Sequence, residues 1–430
     1  MKILLKNATL LPEYGYGARP VSVGIRNRKI AGVWEGENAD FRAEETVDCG
    51  GNLLMPAFCN THCHAAMTLF RGYGEDLPLQ EWLETRIFPA EEKLTFRAVY
   101  HASMLAIAEM LRHGIASFSD MYMFEDATAE AVLATGIKAN LSRSLVSFDP
   151  DIDMAKESRT VEAVRLAEWY HGCDEGRLRV DFSLHAEYTN VPRACEYVAE
   201  LARRFRTGMQ IHLSETEREH SECMARWGKT PTGFFRDTGV LDVPTTAAHC
   251  VWVTDDDIAV LAEKGVTVAH NPVSNLKLGS GVAPLRRLLD AGVNVALGTD
   301  GAASNNRLDI LRELQTAALI HKGVNRNPAI LRAEELVPLA TVNGMRAQGR
   351  PDSGRVEKGF LADLILIDRQ SLHNQPCCDD YAMLAFSADA GDVKMTMVDG
   401  RILWQNGAYT SIDEERLRYD SHQTFSHYFD

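Results

Sequence analysis

The sequence of 430 residues lacks the long apolar run that a membrane-spanning helix requires. No stretch approaches the ~18 uninterrupted apolar residues that such a helix needs. The N-terminal segment "MKILLKNATLLPEYG" has no sustained apolar core and no small-residue cleavage site, and its alternation is typical of a strand, not of a signal peptide. We therefore expect a cytoplasmic protein without membrane contacts.

Paired cysteines are also missing. The nine cysteines are scattered, their number is odd, and no CxxC pair occurs. This pattern favours free thiols in a reducing cytoplasm over a disulfide framework, and it argues against a zinc site made only of cysteines.

Positive charge is scarce. There are 45 lysines and arginines against 60 aspartates and glutamates, which gives a net charge of −15. No basic patch offsets this balance, so a nucleic-acid partner is not expected. No GxGxxG or GxxxxGK[ST] motif follows a strand, so nucleotide phosphate binding has no support either.

What is present is an ordered alternation of strands and helices between two β-rich ends. Eight short apolar runs, near 53–60, 115–119, 137–142, 178–184, 209–213, 245–249, 266–270 and 293–297, are separated by amphipathic stretches. Eight such alternations are typical of a (β/α)8 barrel, which takes about 250 residues. We predict an α/β fold with this barrel in residues 56–350. Residues 1–55 and residues 351–430, which include a C-terminal tail, are predicted to form a small β-sandwich.

Polar residues fall at the ends of the predicted barrel strands. They are His62, His64, His185, His212, His249, His270 and Asp300. Each alone is more simply a hydrogen-bonded or capping residue. Barrel enzymes, however, carry their catalytic groups at this end of the strands, so the whole set is expected to converge on one mouth.

Histidines 62 and 64 stand one residue apart at the end of the first strand. In a strand their side chains point the same way, which predicts half of a metal site. With His212 and Asp300 they form a nitrogen-rich set with one carboxylate, which suits zinc or iron with an open position for water.

With these residues the sequence resembles the amidohydrolase superfamily. The resemblance rests on the "HxH" of strand one, a histidine on each of strands five and six, and an aspartate on strand eight, and it covers nearly the whole chain. Strand four, "RLRVDFSLHAEYT", lacks the lysine that bridges two metals in one branch of the family. The resemblance therefore implies one divalent metal per subunit, with zinc preferred and iron, manganese or nickel as alternatives.

The motif "HLSETE" places Glu215 three residues after His212. Alone it reads as a solvent-facing glutamate that starts the next helix, and it reaches the site only if the strand ends and the chain turns there. The resemblance to single-metal deaminases implies that a metal-bound hydroxide attacks C6 of a purine while Glu215 shuttles protons to the ring nitrogen and to departing ammonia. His249 would hydrogen-bond the hydroxide, and Asp300 would ligate the metal and accept a proton.

Four longer strings resemble the 5′-methylthioadenosine/S-adenosylhomocysteine deaminases. They are "LPLQEWLETRIFPAEEKLT", "HGIASFSDMY", "HNPVSNLKLGSG" and "GTDGAASNNRLDILRELQTAAL". The resemblance implies a purine nucleoside substrate, namely methylthioadenosine, S-adenosylhomocysteine, 5′-deoxyadenosine or adenosine. It also implies substrate-binding roles for the residues Trp82, Glu91, Arg143, Arg159, His185 and Glu215.

The resemblance implies a specific contact for several of these residues, and each has a simpler interpretation. Trp82 would pack on the purine, Glu91 would accept both ribose hydroxyls, and Arg159 would meet an amino-acid carboxylate. Read without the resemblance, they are a core or lid tryptophan, a solvated glutamate and surface arginines. The motif "HNPVSN" is expected to support the site through His270 and Ser274, without an assigned role.

Other functions stay open at this level. Expelling chloride needs no proton donor, so Glu215 favours deamination over a triazine chlorohydrolase, and guanine- or aminotriazine-type deaminases are further alternatives. An inactive barrel that serves as a binding module is disfavoured because every metal ligand and the proton shuttle are present. A homo-oligomer is expected, as is common for barrels of this kind.

Overall fold

A computed structural model describes residues 1–17, 19–36 and 40–429 of the chain. Eight parallel positions in one sheet form the central barrel, and the fourth of them is split into two short strands. The barrel strands are Phe58–Cys63, Ile115–Tyr122, Lys138–Leu145, Leu178–Val180 with Phe182–Leu184, Met209–Leu213, Thr245–His249, Thr267–His270 and Asn294–Leu297. Neighbours in the sheet follow chain order, which confirms the predicted (β/α)8 barrel.

The first predicted strand, 53–60, is wrong in its extent. The structure divides that region into Leu53–Pro56, which pairs antiparallel with Leu364–Ile367 in an outer sheet, and Phe58–Cys63, which opens the barrel. A continuous apolar run cannot reveal this change of sheet, because both strands are fully buried and both read as apolar.

Side chains and backbone groups join the first barrel strand to the segment after the last. Thr61 Oγ1 donates to the carbonyl of Leu297 at 2.8 Å, and the Thr299 amide donates to Asn60 Oδ1 at 2.9 Å. The Asp300 amide donates to the His62 carbonyl at 3.0 Å. These bonds close the barrel and set His62 beside Asp300.

Two outer sheets pack together beside the barrel. One contains Lys2–Ala8, Val21–Arg26, Lys29–Glu35 and Glu45–Asp48, and the other contains Leu53–Pro56, Leu364–Ile367, Val393–Val398, Arg401–Gln405 and Ala408–Tyr409. Their shared apolar core includes Ile3, Val23 and Met397 from both chain ends, as the predicted sandwich requires. The domain boundaries at residues 55 and 350 stay predictions.

An Asp-Gly turn and an Asn-Gly turn join strands Val393–Val398, Arg401–Gln405 and Ala408–Tyr409 of the second outer sheet. Asp399 and Gly400 have φ of 48° and 72°, and Asn406 and Gly407 have φ of 49° and 89°. Two successive residues with positive φ form a type I′ turn, whose twist matches that of the strands it joins.

Helices surround the barrel. The longer ones are Phe96–Arg112, Glu125–Thr135, Ser158–Tyr170, Pro192–Phe205, Glu217–Trp227, Pro231–Asp237, Asp255–Glu263, Pro272–Lys277, Leu285–Asp290, Ile310–Val324, Ala333–Ala340, Val342–Ala347, Asp380–Phe386 and Glu414–Phe429. Shorter helices are Leu79–Trp82, Phe88–Glu91, Cys173–Gly176 and Ala302–Asn305, with a π-helical turn at Leu83–Ile87. The 3-10 helices are Pro12–Tyr14, Ala65–Phe70, Glu187–Thr189, Val240–Asp242, Leu372–Asn374 and Ala390–Asp392.

Two expectations about composition can be compared with the fold. All nine cysteines are free thiols in the structure. Within residues 1–17, 19–36 and 40–429, none of the helices has the length and apolar character needed to span a bilayer.

Candidate active site

A cavity of about 530 Å³ opens at the carboxyl ends of the barrel strands. Ten of the predicted site residues line it: His64, Trp82, Glu91, Arg143, Arg159, His185, His212, Glu215, His249 and Asp300. His62 lies at its base, with its side chain 2% exposed and Nε2 3.5 Å from Asp300 Oδ1. One end of the barrel thus carries every predicted metal-binding and catalytic residue.

The His-x-His pair points into the barrel as its spacing predicts, with ring centroids 4.9 Å apart. His64 Nδ1 is 2.6 Å from the carbonyl of Met121, and His212 Nδ1 is 2.7 Å from the carbonyl of His185. A carbonyl accepts, so each Nδ1 carries the proton and each Nε2 is left facing the cluster. The two Nε2 atoms lie 3.4 Å apart.

Asp300 completes the cluster from the end of the eighth strand. Its Oδ1 lies 3.2 Å from His64 Nε2, while its Oδ2 accepts from the hydroxyls of Ser274 at 2.6 Å and Ser304 at 2.8 Å. The two serines hold one carboxylate oxygen, so the other is directed at the histidines. The backbone of Asp300 is left-handed, with φ of 62°.

The donor set fits a divalent metal ion. His62 Nε2 is buried and has no hydrogen-bond partner among the described residues, which is costly unless something binds it. Burial lowers the pKa of His62 to about 4 and holds that of His212 well below its usual value, so both imidazoles are neutral, as a metal requires. Neutral nitrogens with one carboxylate oxygen suit zinc and its neighbours among the transition metals.

Two further observations concern His64, a member of this set, and His249, which lies beside it. Burial alone would lower the pKa of His64, but the Asp300 carboxylate raises it to about 8, so an ion there competes with a proton for this nitrogen. The donor atoms of His62, His212 and His249 lie within 4.8 Å of one another, as do those of His62, His64 and Asp300. His249 therefore stands next to the predicted ligands.

Glu215 reaches the cavity because the chain turns sharply after the fifth strand. The strand ends at Leu213, and Ser214 has φ of 47°. Glu215 Oε1 accepts from the Ser280 hydroxyl at 3.1 Å, and its Oε2 lies 3.8 Å from His249 Nε2. Burial raises the pKa of Glu215 above its ordinary value, which makes this carboxyl a better proton acceptor than a solvated glutamate.

His249 is held from behind by an amide. Its Nδ1 lies 2.7 Å from Asn275 Oδ1, so this nitrogen donates and Nε2 faces Glu215. His249 is also left-handed, with φ of 73°. Strands five, six and eight thus each lead into a left-handed residue at the site, and such strained positions tend to cluster at functional sites.

The predicted nucleoside contacts line the outer part of the cavity. Glu91 is buried and accepts from the Tyr122 hydroxyl at 2.7 Å, and burial raises its pKa to about 7. The indole of Trp82 is buried in a cluster with Leu83 and Ile87, in the helical segment that covers the cavity. Glu91 is therefore not the solvated glutamate of the simpler interpretation, whereas the burial of Trp82 agrees with a core or lid tryptophan as well as with a substrate contact.

The two arginines differ in how they are held. Arg143 is mostly buried and donates through Nε to Glu162 at 2.6 Å. Arg159 is 44% exposed and donates to the carbonyl of Val146 at 3.1 Å. His185 Nδ1 lies 3.2 Å from Thr189 Oγ1. All three side chains line the cavity.

The structure does not bring His270 to the cavity. Its Nε2 lies 3.2 Å from Nε2 of His321, in the buried layer between the barrel and helix Ile310–Val324. Side chains alternate along a strand, and this one points toward the surrounding helices. The expectation that all the strand-end histidines converge is wrong for His270.

Sequence reasoning missed several supporting residues and left Ser274 without a role. Each of the missed residues is hydrogen-bonded to a site residue or to the backbone beside one, and they are Tyr122, Glu219, Asn275, Ser280 and Ser304. Their only signal in the sequence is polarity in otherwise buried segments, which does not identify a partner.

Comparison with known proteins adds three findings. The model of the amidohydrolase family matches residues 53–403. The chain is 43% identical over 418 residues to a 5′-deoxyadenosine deaminase of Methanosarcina mazei, covering 96% of this chain and 95% of that protein. It is 42% identical over 421 residues to a 5-methylthioadenosine/S-adenosylhomocysteine deaminase of Caldicellulosiruptor saccharolyticus, covering 97% and 96%.

A solved structure extends the likeness to three dimensions. An adenosine deaminase from Xanthomonas campestris with bound zinc superimposes with a TM-score of 0.92, at 31% identity, covering 99% of this chain and 98% of that one.

Proposed function

The chain belongs to the amidohydrolase family, and we propose that it is a metal-dependent deaminase that converts 5′-modified adenosines to the inosine analogues and ammonia. One observation carries the proposal. A buried His-His-His-Asp donor set and a buried glutamate, Glu215, meet at the base of one cavity of about 530 Å³. The deaminases of 5′-modified adenosines among the relatives favour this substrate class over guanine or triazines.

His62, His64, His212 and Asp300 would hold one divalent ion, and zinc is our choice because the solved relative from Xanthomonas campestris binds it. Such an ion lowers the pKa of a bound water toward neutrality, which makes a nucleophile available at physiological pH. The side chains around this ion would transfer the protons, orient the water and bind the substrate.

Glu215 moves the protons. Its raised pKa lets it take one proton from the incoming water and give it to the purine ring nitrogen, and a second proton, released when the new hydroxyl on C6 becomes a carbonyl, is passed to the departing amine. Amide ion is a poor leaving group, so ammonia departs only if this proton arrives. Ser280 holds one oxygen of Glu215, and the other is left free toward His249.

His249 orients the water through Nε2, since Asn275 occupies its other nitrogen. Asp300 serves as metal ligand and second proton acceptor, with one oxygen fixed by two serines. These left-handed residues are held before substrate arrives, so little reorganisation accompanies the reaction.

The outer cavity would bind the nucleoside. Trp82 packs on the purine, His185 lines the wall, and Glu91 accepts the two ribose hydroxyls, because a carboxylate suits a pair of donors. Arg143 lines the pocket with His185, and Arg159 faces the 5′ substituent, where its guanidinium can pair with the carboxylate of a homocysteine tail. A cytoplasmic homo-oligomer remains part of the proposal.

The test is ammonia release by zinc-loaded protein across a substrate panel. The panel holds methylthioadenosine, S-adenosylhomocysteine, 5′-deoxyadenosine, adenosine, guanine, cytosine and an aminotriazine, with a chlorotriazine followed by chloride release. We expect the 5′-modified adenosines to be turned over fastest. Faster turnover of a base or a triazine would contradict the nucleoside contacts and leave the metal chemistry standing.

A further inference from the structure

We propose that Glu219 is a positioning residue that holds the turn carrying Glu215, and this inference rests on the proposed function. The side chain of Glu219 is 4% exposed and does not line the cavity. Its Oε1 accepts from the amide of Ser214 at 2.9 Å, and its Oε2 accepts from the amide of Glu215 at 2.7 Å. One carboxylate therefore binds two successive backbone amides, and the second belongs to the proton shuttle itself.

The turn needs such a partner because it leaves the sheet abruptly. Strand Met209–Leu213 ends one residue before Ser214, whose φ of 47° is a conformation that residues with a side chain rarely adopt. Beyond the strand end, the amides of Ser214 and Glu215 no longer face a neighbouring strand. Buried amides must find acceptors, and the Glu219 carboxylate supplies both.

Helix capping alone does not account for this geometry. Helix Glu217–Trp227 is already capped by Thr216, whose hydroxyl accepts from the amide of Glu219 at 3.1 Å. A glutamate at this third helical position ordinarily reaches back to the amide of the capping residue. Here the carboxylate reaches one and two residues further, so it ties the strand end to the helix with Glu215 between them.

The consequence lies in where the Glu215 carboxylate stands. Its oxygens are 3.1 Å from the Ser280 hydroxyl and 3.8 Å from His249 Nε2, and proton transfer is sensitive to shifts of a fraction of this size. Glu219 touches neither the metal ligands nor the cavity. Loosening the turn should therefore slow turnover without changing metal content or substrate binding.

Glu219→Gln is the informative change because it keeps the shape of the side chain. A glutamine has one accepting oxygen, and its amide nitrogen would face a backbone N–H that is also a donor. Glu222→Gln is the matched control. Glu222 lies on the same helix, and its carboxylate, 44% exposed, pairs with Arg218 at the surface.

The experiment measures kcat, KM and bound zinc for both variants with 5′-deoxyadenosine, alone and in a Glu215→Gln background. We expect Glu219→Gln to lower kcat by about tenfold or more with KM and zinc within about twofold of wild type. Glu222→Gln should be unchanged. Because Glu219 acts through Glu215, Glu219→Gln should cause no further loss of kcat in a protein that already carries Glu215→Gln.

The proposal is overturned if Glu219→Gln keeps wild-type kcat, loses zinc, or lowers the rate by the same factor in both backgrounds. The rates of the slow variants are measured in single-turnover reactions with excess enzyme. If the Glu215→Gln background is silent even then, hydrogen exchange decides. Faster exchange of the 214 and 215 amides in Glu219→Gln, but not in Glu222→Gln, supports the proposal that Glu219 holds this turn, and unchanged exchange refutes it. A wild-type protein that releases no ammonia from any nucleoside, or a Glu215→Gln variant with full activity, would instead refute the proposed function.

Discussion

The hydroxyl of Ser274 lies 2.6 Å from Oδ2 of Asp300, on the side of the carboxylate that faces away from the histidines. This hydrogen bond restrains the rotation of the Asp300 carboxylate, which is a proposed metal ligand. Residues that orient metal ligands are worth roughly 10- to 100-fold in metal affinity.

Ser274→Ala should accordingly weaken zinc binding by about tenfold, at the lower end of this range, because Ser304 still holds the carboxylate. Zinc affinity is read by titration against a competing chelator. Ser280→Ala is the counterpart, because Ser280 contacts Glu215 and not a ligand, so it should lower kcat at unchanged zinc affinity. Equal zinc loss in both variants would contradict the two roles.

Glu215→Gln and His62→Ala should separate chemistry from metal binding. Glutamine cannot shuttle a proton, so the first variant should keep its zinc and lose turnover by about 100-fold or more. His62 Nε2 is a buried donor atom of the cluster, so the second variant should lose both metal and activity. Bound metal is measured by elemental analysis after gel filtration, and a zinc-free Glu215→Gln protein would argue against the assignment.

Substrate binding should depend on pH through Glu91. Burial raises the pKa of this carboxyl to about 7, so it is protonated below that pH and ionised above it. Only the ionised form accepts both ribose hydroxyls, so KM for a ribonucleoside should fall as the pH rises from about 6 to about 8.

Two controls isolate the effect. A 2′,3′-dideoxy analogue has no diol, and its KM should not follow the same curve. Glu91→Gln should remove the dependence for the ribonucleoside as well. If the ribonucleoside and the dideoxy analogue respond to pH identically in the wild type, Glu91 does not hold the diol.

Gly298 should tolerate no side chain. A Cβ there would lie 2.4 Å from Asn271 Oδ1 and 2.9 Å from His62 Cβ, in a packed region beside the metal site. Gly298→Ala should destabilise the fold by about 1–3 kcal/mol and lower zinc content, because His62 must move. Gly323→Ala in helix Ile310–Val324, where a Cβ meets nothing within 4 Å, should be neutral or stabilising by up to about 1 kcal/mol. Urea unfolding measures the stability of both variants, and elemental analysis measures the zinc content of Gly298→Ala.

Sequence periodicity predicted the barrel because eight buried strands alternate with amphipathic helices. It also placed His62 and His64 on one face, since a strand fixes that geometry locally. The turn at Ser214 could be required from the spacing of His212 and Glu215, although the residue that stabilises it could not be named.

What escaped prediction depends on contacts between distant segments. Ser274 lies in helix Pro272–Lys277 after the seventh strand, and Asp300 follows the eighth strand, so no local pattern in the sequence connects this serine with that carboxylate. The same holds for Asn275 behind His249. His270 was misplaced because strand-end position is visible in the sequence, whereas the face that a last strand residue presents depends on how far the strand continues.

The bonds that close the barrel also determine when the metal site can exist. His62 lies on the first barrel strand and Asp300 follows the last, and the Asp300 amide donates to the His62 carbonyl where the two ends of the barrel sheet meet. During synthesis, the emerging chain carries its His-x-His pair long before the aspartate that completes the set. The proposed ligand set is therefore complete only in a chain whose last barrel strand has been synthesised and has joined the first.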